Sequence, residues 1–121
     1  MIGVDIESIV RFRRLNRTRH RNFLRRVFSA RELAYCYKQK DPAPHLAARF
    51  AGKEAVIKAL LSSSDVLPPH WQIEILNDGQ GVPRVHLPKN IFNEKDGEIK
   101  ISLSHSDKYA LAFAVILMAV A

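Results

Sequence analysis

The chain has 121 residues and carries a formal charge of +7, with 19 Lys and Arg against 12 Asp and Glu. That length suits one domain spanning 1–121 with a real core and excludes a deep cleft between two large lobes, which leaves a ligand site to draw on a second subunit. The charge points to a polyanionic partner (nucleic acid, anionic membrane, acidic protein or phosphorylated ligand), and the single cysteine, Cys36, excludes an internal disulfide and fits a reducing compartment.

Met1 to Ile6 already reads as folded strand, so no signal or transit segment is evident there. Alternation over Ile2 to Glu7 predicts a first strand with Ile2, Val4 and Ile6 turned into a core and Asp5 and Glu7 together on the other face. Two carboxylates side by side repel unless a cation or a base role accounts for them, or unless that face is simply solvated. Ser8 is expected to cap a helix that carries Arg11, Arg13, Arg14, Arg17, Arg19, Arg21, Arg25 and Arg26. Its apolar residues bury one stripe at most, so most of the arginines stand on the surface as a one-signed docking face. Ser29 and Glu32 form a capping box for a second helix through Leu33, Tyr35 and Tyr37.

Asp41-Pro42-Ala43-Pro44 ends that helix, and a third is expected from about His45 to Leu61, closed by Ser62-Ser63-Ser64-Asp65. In the third helix Ala51, Ala55 and Ala59 recur one turn apart, a stripe narrow enough to admit another backbone. Glu54 and Lys58 share a different face with Lys53 beside them. One carboxylate and two ammonium groups there can hold a divalent cation and a phosphate chain; the plainer reading is an exposed ion pair of roughly 0.2–0.5 kcal/mol.

Beyond Pro68-Pro69 the texture becomes that of strands. Trp71 to Leu76 alternates, Asn77 to Gly81 is turn chemistry, and Val82 to Leu87 pairs back as a hairpin. Pro88 to Phe92 fits a helical turn, and Ile99, Ile101 and Leu103 alternate with Lys100, Ser102 and Ser104. Tyr109 to Val120 is very apolar but shorter than the roughly 20 residues of a spanning helix, so it reads as a buried strand and not a membrane anchor. The order strand, helices, strands predicts an α+β fold: a mostly antiparallel sheet packed against a long central helix and shorter helices.

No paired-cysteine motif, HExxH, Walker loop or GxGxxG is present. Ser104, His105 and Asp107 are too close in sequence to face one another as a relay. The oxygen ligands Asp5, Glu7 and Glu54 remain, a donor set suited to Mg²⁺.

Gly3-Val4-Asp5-Ile6-Glu7, followed by Arg49-Phe50-Ala51-Gly52-Lys53-Glu54-Ala55-Val56-Ile57-Lys58-Ala59-Leu60, resembles the two signatures of the 4′-phosphopantetheinyl transferases. Length and order resemble the small holo-[acyl-carrier-protein] synthase group. So do Phe28 to Leu33, Gly81-Val82-Pro83, and Ile101 to His105, so the likeness spans nearly the whole chain.

The resemblance implies Mg²⁺-dependent transfer of phosphopantetheine from coenzyme A to a serine of an apo acyl carrier protein, with release of 3′,5′-ADP. It implies metal binding by Asp5 and Glu54, and coenzyme A contacts at Lys53, Lys58, Ser104 and His105, with Arg49 and the turn from Gly81 to Pro83 nearby. Glu7 departs from the common small bacterial pattern and resembles the larger monomeric members; it stands as a third metal ligand or as the general base, with a metal-bound water as the alternative base. Lys58 and His105 are the further catalytic candidates. The resemblance also implies a homotrimer with sites between subunits and a cytoplasmic enzyme, or a mitochondrial-matrix one in a eukaryote. The acidic carrier would dock on Arg11, Arg14, Arg17, Arg21 and Arg25, with no nucleic acid or membrane as partner. The competing class is a basic nucleic-acid-binding domain. Against it, the aromatic residues are not interleaved with the basic ones, and the pair Asp5 and Glu7 goes unexplained.

Overall fold

The computed structural model describes residues 1–62 and 64–120. Strand β1 (Ile2–Ser8) leads into two short helices, α1 (Ile9–Arg13) and α2 (Arg21–Val27), then α3 (Ala30–Tyr37) and the 19-residue α4 (Pro42–Leu60). A 3₁₀ turn (His70–Gln72) precedes the hairpin of β2 (Glu74–Asn77) and β3 (Pro83–His86), and β4 (Gly97–His105) and β5 (Tyr109–Met118) close the chain. The strands form a three-stranded sheet in the order β1-β5-β4 and the separate β2-β3 ribbon, both antiparallel. This is the expected α+β architecture.

The long helix lies flat on the sheet because both surfaces are built from small residues. Gly3 faces the helix so closely that a Cβ there would sit 1.9 Å from the Ala55 carbonyl oxygen. Ala51, Ala55 and Ala59 are fully buried on the helix side, and Ala110, Ala112 and Ala114 on the strand side. Gly52, elsewhere on the helix surface, leaves room for the side chains of Ile75, Ile101 and Leu103. The core continues under α1–α3, where Ile9, Phe12, Leu24 and Phe28 pack on Leu46.

That packing inverts the orientation expected for β1. Ile2, Val4 and Ile6 are 66, 52 and 60 % exposed, while Gly3, Asp5 and Glu7 turn toward α4. Register agrees: Gly3, Asp5 and Glu7 lie opposite the buried Ala114, Ala112 and Ala110, whereas Val4 and Ile6 lie opposite the exposed Phe113 and Leu111. A helix approaching this closely favours small or functional residues beneath it, so the bulky side chains of β1 and most of those of β5 fall on the far face, Ile116 near the strand's end being the buried exception.

Other boundaries also move. The single arginine-rich helix is two helices, because the Asn16 side chain accepts the Thr18 and Arg19 N–H groups at 2.9 and 2.8 Å, a local turn that competes with helix. Ser8 belongs to β1 and makes no side-chain cap bond. The Ser29–Glu32 capping box forms as expected. Helix α4 begins at Pro42, a residue suited to the first helical turn, and ends at Leu60; Ser63, in the run expected to close it, lies outside the described residues. Trp71 sits in the 3₁₀ turn ahead of β2. The turn after Pro88 forms, with Ile91 and Phe92 donating to its carbonyl.

Candidate active site

Two clusters of polar side chains flank α4. The first joins β1, α1, α4 and the 3₁₀ turn. Lys58 Nζ donates to the Val4 carbonyl at 3.0 Å and to Asp5 Oδ1 at 3.2 Å. Arg11 donates to Glu7 Oε1 at 3.2 Å and lays its guanidinium over Phe50, 5.2 Å from the ring centre. His70 Nε2 lies 2.8 Å from Glu54 Oε1; with a carboxylate as the partner, the nitrogen is the donor. Asp5 and Glu54 both act on the Glu7 carboxyl. Burial, a hydrogen bond to Asp5 and the negative charges of Asp5 and Glu54 push Glu7 up to about 7, against a smaller opposing pull from Arg11. The charge of Glu54 in mid-helix therefore reaches Glu7 on the first strand, although some fifty positions of chain lie between them.

Among the described residues no group of three His, Cys, Asp or Glu has the spacing of a metal centre. The donor set nonetheless suits a hard divalent cation: all ligands are carboxylate oxygens, and the buried Asp5 Oδ2 has no hydrogen-bond partner once Glu7 is ionised. An unpaired buried carboxylate oxygen is costly unless a cation or donor reaches it.

The second cluster lies about 140° away around the helix, since Arg49 precedes Glu54 by five residues at about 100° each. Arg49 is only 3 % exposed, its Nε is buried without a partner, and no carboxylate pairs with it among the described residues. Its guanidinium stacks on Tyr35 at 4.2 Å and reaches Asn77 Oδ1 at 3.4 Å. Asn77 sits opposite Pro83, which places the hairpin turn beside Arg49; Gly81 serves that turn with φ of 82°. The His45 ring stands 5.9 Å from Tyr35 and 6.5 Å from His105. Burial, then the charges of Arg49 and His105, hold the His45 pKa below its usual value, with Asp41 opposing. A buried guanidinium flanked by two imidazoles and lacking a counter-ion is an anion site in chemical terms.

Two expected contacts fall outside both clusters. Lys53 is fully buried and donates to Glu32 Oε1 at 2.6 Å, the His70 carbonyl at 2.8 Å and the Ile73 carbonyl at 2.5 Å. All three of its N–H donors are taken, so it cannot hold a phosphate in this arrangement and instead ties α3, α4 and the start of β2 together. Burial lowers its pKa most, and Glu32 is the main opposing influence. Ser104 lies opposite the exposed Leu111 on the outer sheet face, one position out of phase with His105.

Of the arginines expected to dock a partner, Arg11 is engaged by Glu7 and Arg17 stacks on Tyr37 at 4.6 Å. Arg14, Arg21 and Arg25 make no ion pair among the described residues and stay exposed. Sequence reasoning passed over His45, Tyr35, Asn77 and His70. His45 alone left a trace, one turn ahead of Arg49; the others arrive from distant elements.

A model of the 4′-phosphopantetheinyl transferase superfamily matches residues 1–114. The chain belongs to that superfamily. Within it the chain is of the small holo-[acyl-carrier-protein] synthase type. The holo-[acyl-carrier-protein] synthase of Thermodesulfovibrio yellowstonii is 43 % identical over 115 residues, spanning 95 % of this chain and 96 % of the relative. That of Chlamydia felis is 41 % identical over 118 residues, spanning 97 and 96 %. Among solved structures, Helicobacter pylori holo-[acyl-carrier-protein] synthase in complex with coenzyme A superposes with a TM-score of 0.82 at 30 % identity, over 97 % of this chain and 100 % of that one. The Bacillus anthracis enzyme in complex with coenzyme A (3′,5′-ADP) gives 0.76 at 25 % identity, over 98 and 96 %. Family membership therefore rests on the full length of the fold and not on the two motifs alone.

Proposed function

We propose that this transferase moves 4′-phosphopantetheine from coenzyme A to a serine of an apo acyl carrier protein and releases 3′,5′-ADP. The observation that carries the reading is that α4 sets Lys58 on Asp5 and brings the charge of Glu54 within reach of Glu7, from two elements far apart in sequence. Asp5 and Glu54, with Glu7 beside them, would hold Mg²⁺, which supplies charge neutralisation for the diphosphate when bound.

The serine hydroxyl attacks the phosphorus that carries the pantetheine arm, and its bond to the bridging oxygen of the diphosphate breaks. Glu7 takes the hydroxyl proton. Lys58 offsets the charge that grows on the departing phosphate. Arg49 and His105, backed by the Gly81–Pro83 turn, hold the nucleotide phosphates. Positioning and electrostatics carry this chemistry, and both follow from where α4 holds its side chains.

The two clusters open to different sides of α4, and the outer sheet face exposes Ile2, Val4, Ile6, Leu111, Phe113 and Leu117. Both features support a homotrimer in which one subunit's anion cluster meets its neighbour's acid cluster. Arg14, Arg21 and Arg25 face an acidic carrier across that rim and speed encounter by complementary charge. No helix of the described residues is long and apolar enough to cross a membrane, which agrees with a cytoplasmic enzyme of carrier-protein maturation, as in fatty acid biosynthesis.

Mass spectrometry of an apo carrier protein incubated with the enzyme, coenzyme A and Mg²⁺ tests the reading. A gain of one phosphopantetheine arm is expected, with kcat reduced about 100-fold or more in Glu54→Gln and Glu7→Gln. Unmodified carrier with wild-type enzyme, or full activity of Glu54→Gln, overturns it.

A further inference from the structure

We propose that His70 is a positioning residue for the metal site: it holds the Glu54 carboxylate in place through its Nε2–H and so sets how tightly the three acids grip a divalent cation. The inference rests on the metal reading above. Each acid of the cluster has one donor of its own, drawn from a different part of the chain. Lys58 holds Asp5, Arg11 holds Glu7, and His70 holds Glu54 at 2.8 Å. Without such a donor Glu54, facing two other carboxyls, would swing toward solvent along its three side-chain torsions. The bond engages Oε1 and leaves Oε2 for a cation.

The imidazole is itself fixed from two directions. Its ring stacks flat on Phe50, with centres 5.6 Å apart and planes 6° from parallel, and Phe50 lies one helical turn before Glu54 on α4. Its carbonyl accepts the buried Lys53 ammonium at 2.8 Å, and Lys53 is anchored in turn by Glu32 at 2.6 Å. The capping-box glutamate of α3 thus fixes, through Lys53, where the His70 ring meets Glu54. Hydrogen-bond partners of ligating carboxylates commonly contribute 10- to 100-fold to metal affinity. This explains why an imidazole from a loop turn, sixteen residues past Glu54, is built into the cluster.

The test is Mn²⁺ binding, read as free Mn²⁺ by electron paramagnetic resonance, to the full chain with excess coenzyme A and a coenzyme-A-only control. His70→Phe keeps a ring to stack on Phe50 but has no donor; its Mn²⁺ affinity is expected to fall about 10-fold or more. His70→Gln places an amide N–H near the Nε2 position and is expected to bind within about 3-fold of wild type, the context scatter of such contributions. His70→Asn, whose amide stops short of Glu54, repeats the loss in a polar side chain if the Phe variant does not fold. In turnover, the Mg²⁺ activation constant rises in the Phe and Asn variants while the KM for coenzyme A at saturating Mg²⁺ is unchanged. Wild type binding Mn²⁺ with His70→Phe or His70→Asn binding equally well overturns this inference alone, and so does a Gln variant as weak as the Phe one. Wild type taking up no Mn²⁺ beyond the control overturns the metal reading and this inference together.

Discussion

Glu7 shows how one side chain registers its surroundings. Its carboxyl is raised from an ordinary 4.5 to about 7 by burial first and by Asp5 and Glu54 next. Between those two pH values the folded protein keeps a proton that the unfolded chain has already released. The native state therefore binds more protons, and stability falls as pH rises through the window and stays lower above it. In EDTA, calorimetry of the wild type is expected to show Tm dropping between pH 4.5 and 8, and the drop should be smaller in Glu7→Gln, which has no proton to lose. Equal drops would mean that the repulsion at this position is not what the cluster geometry implies. Lys53 makes the complementary point. It reads in the sequence as a surface neighbour of Glu54, yet it is fully buried together with Glu32, which with two carbonyls completes its shell. Those acceptors lie seventeen or more residues away, beyond the reach of any local pattern.

Among the elements, the contact of β1 with α4 decides whether the acids meet. Gly3 leaves no room for a methyl, since a Cβ would stand 1.9 Å from the Ala55 carbonyl oxygen and 2.9 Å from the Ala59 nitrogen. Both are backbone atoms of one helix, so the clash is relieved only by lifting the strand. Gly3→Ala is accordingly expected to cost about 3 kcal/mol by urea denaturation, the upper end of overpacking effects, and to lower Mg²⁺-dependent turnover with it. A change below about 0.5 kcal/mol would show that the strand can shift without loss. The alanine stripe on α4 was legible as a close-approach surface. The arginine-rich segment was not legible as two helices, because the Asn16 turn that divides it competes locally with helix and charge periodicity carries no sign of that.

For the molecule as a whole, the outer sheet face is the unresolved energy. Phe113, Leu111, Val4 and Ile6 form paired cross-strand rows left in water by the single chain. A face of that kind favours association. Phe113→Glu, which puts charge at its centre, is expected to leave a monomer by sedimentation equilibrium where the proposed trimer would otherwise form. It should also depress kcat/KM, although it touches neither cluster. A wild type that sediments as a monomer at micromolar concentration would remove the basis for a shared site.

Element type, order and several boundaries followed from local rules: alternation in strands, the Ser29–Glu32 box, the Asp41–Pro44 break between α3 and α4, turn residues at 77–81. Nearest-neighbour geometry suffices for such features. The direction in which β1 faces did not follow, because alternation separates two faces without saying which one a helix will cover. On β1 the larger apolar face is the outer one, since a helix packed at backbone distance accepts only Gly3 and the acids beneath it there. The partners of Glu54 and Lys53 likewise emerged only when the turn at His70 was folded back on α4: chemistry written at separate points of the chain becomes a site through packing, which no periodicity encodes.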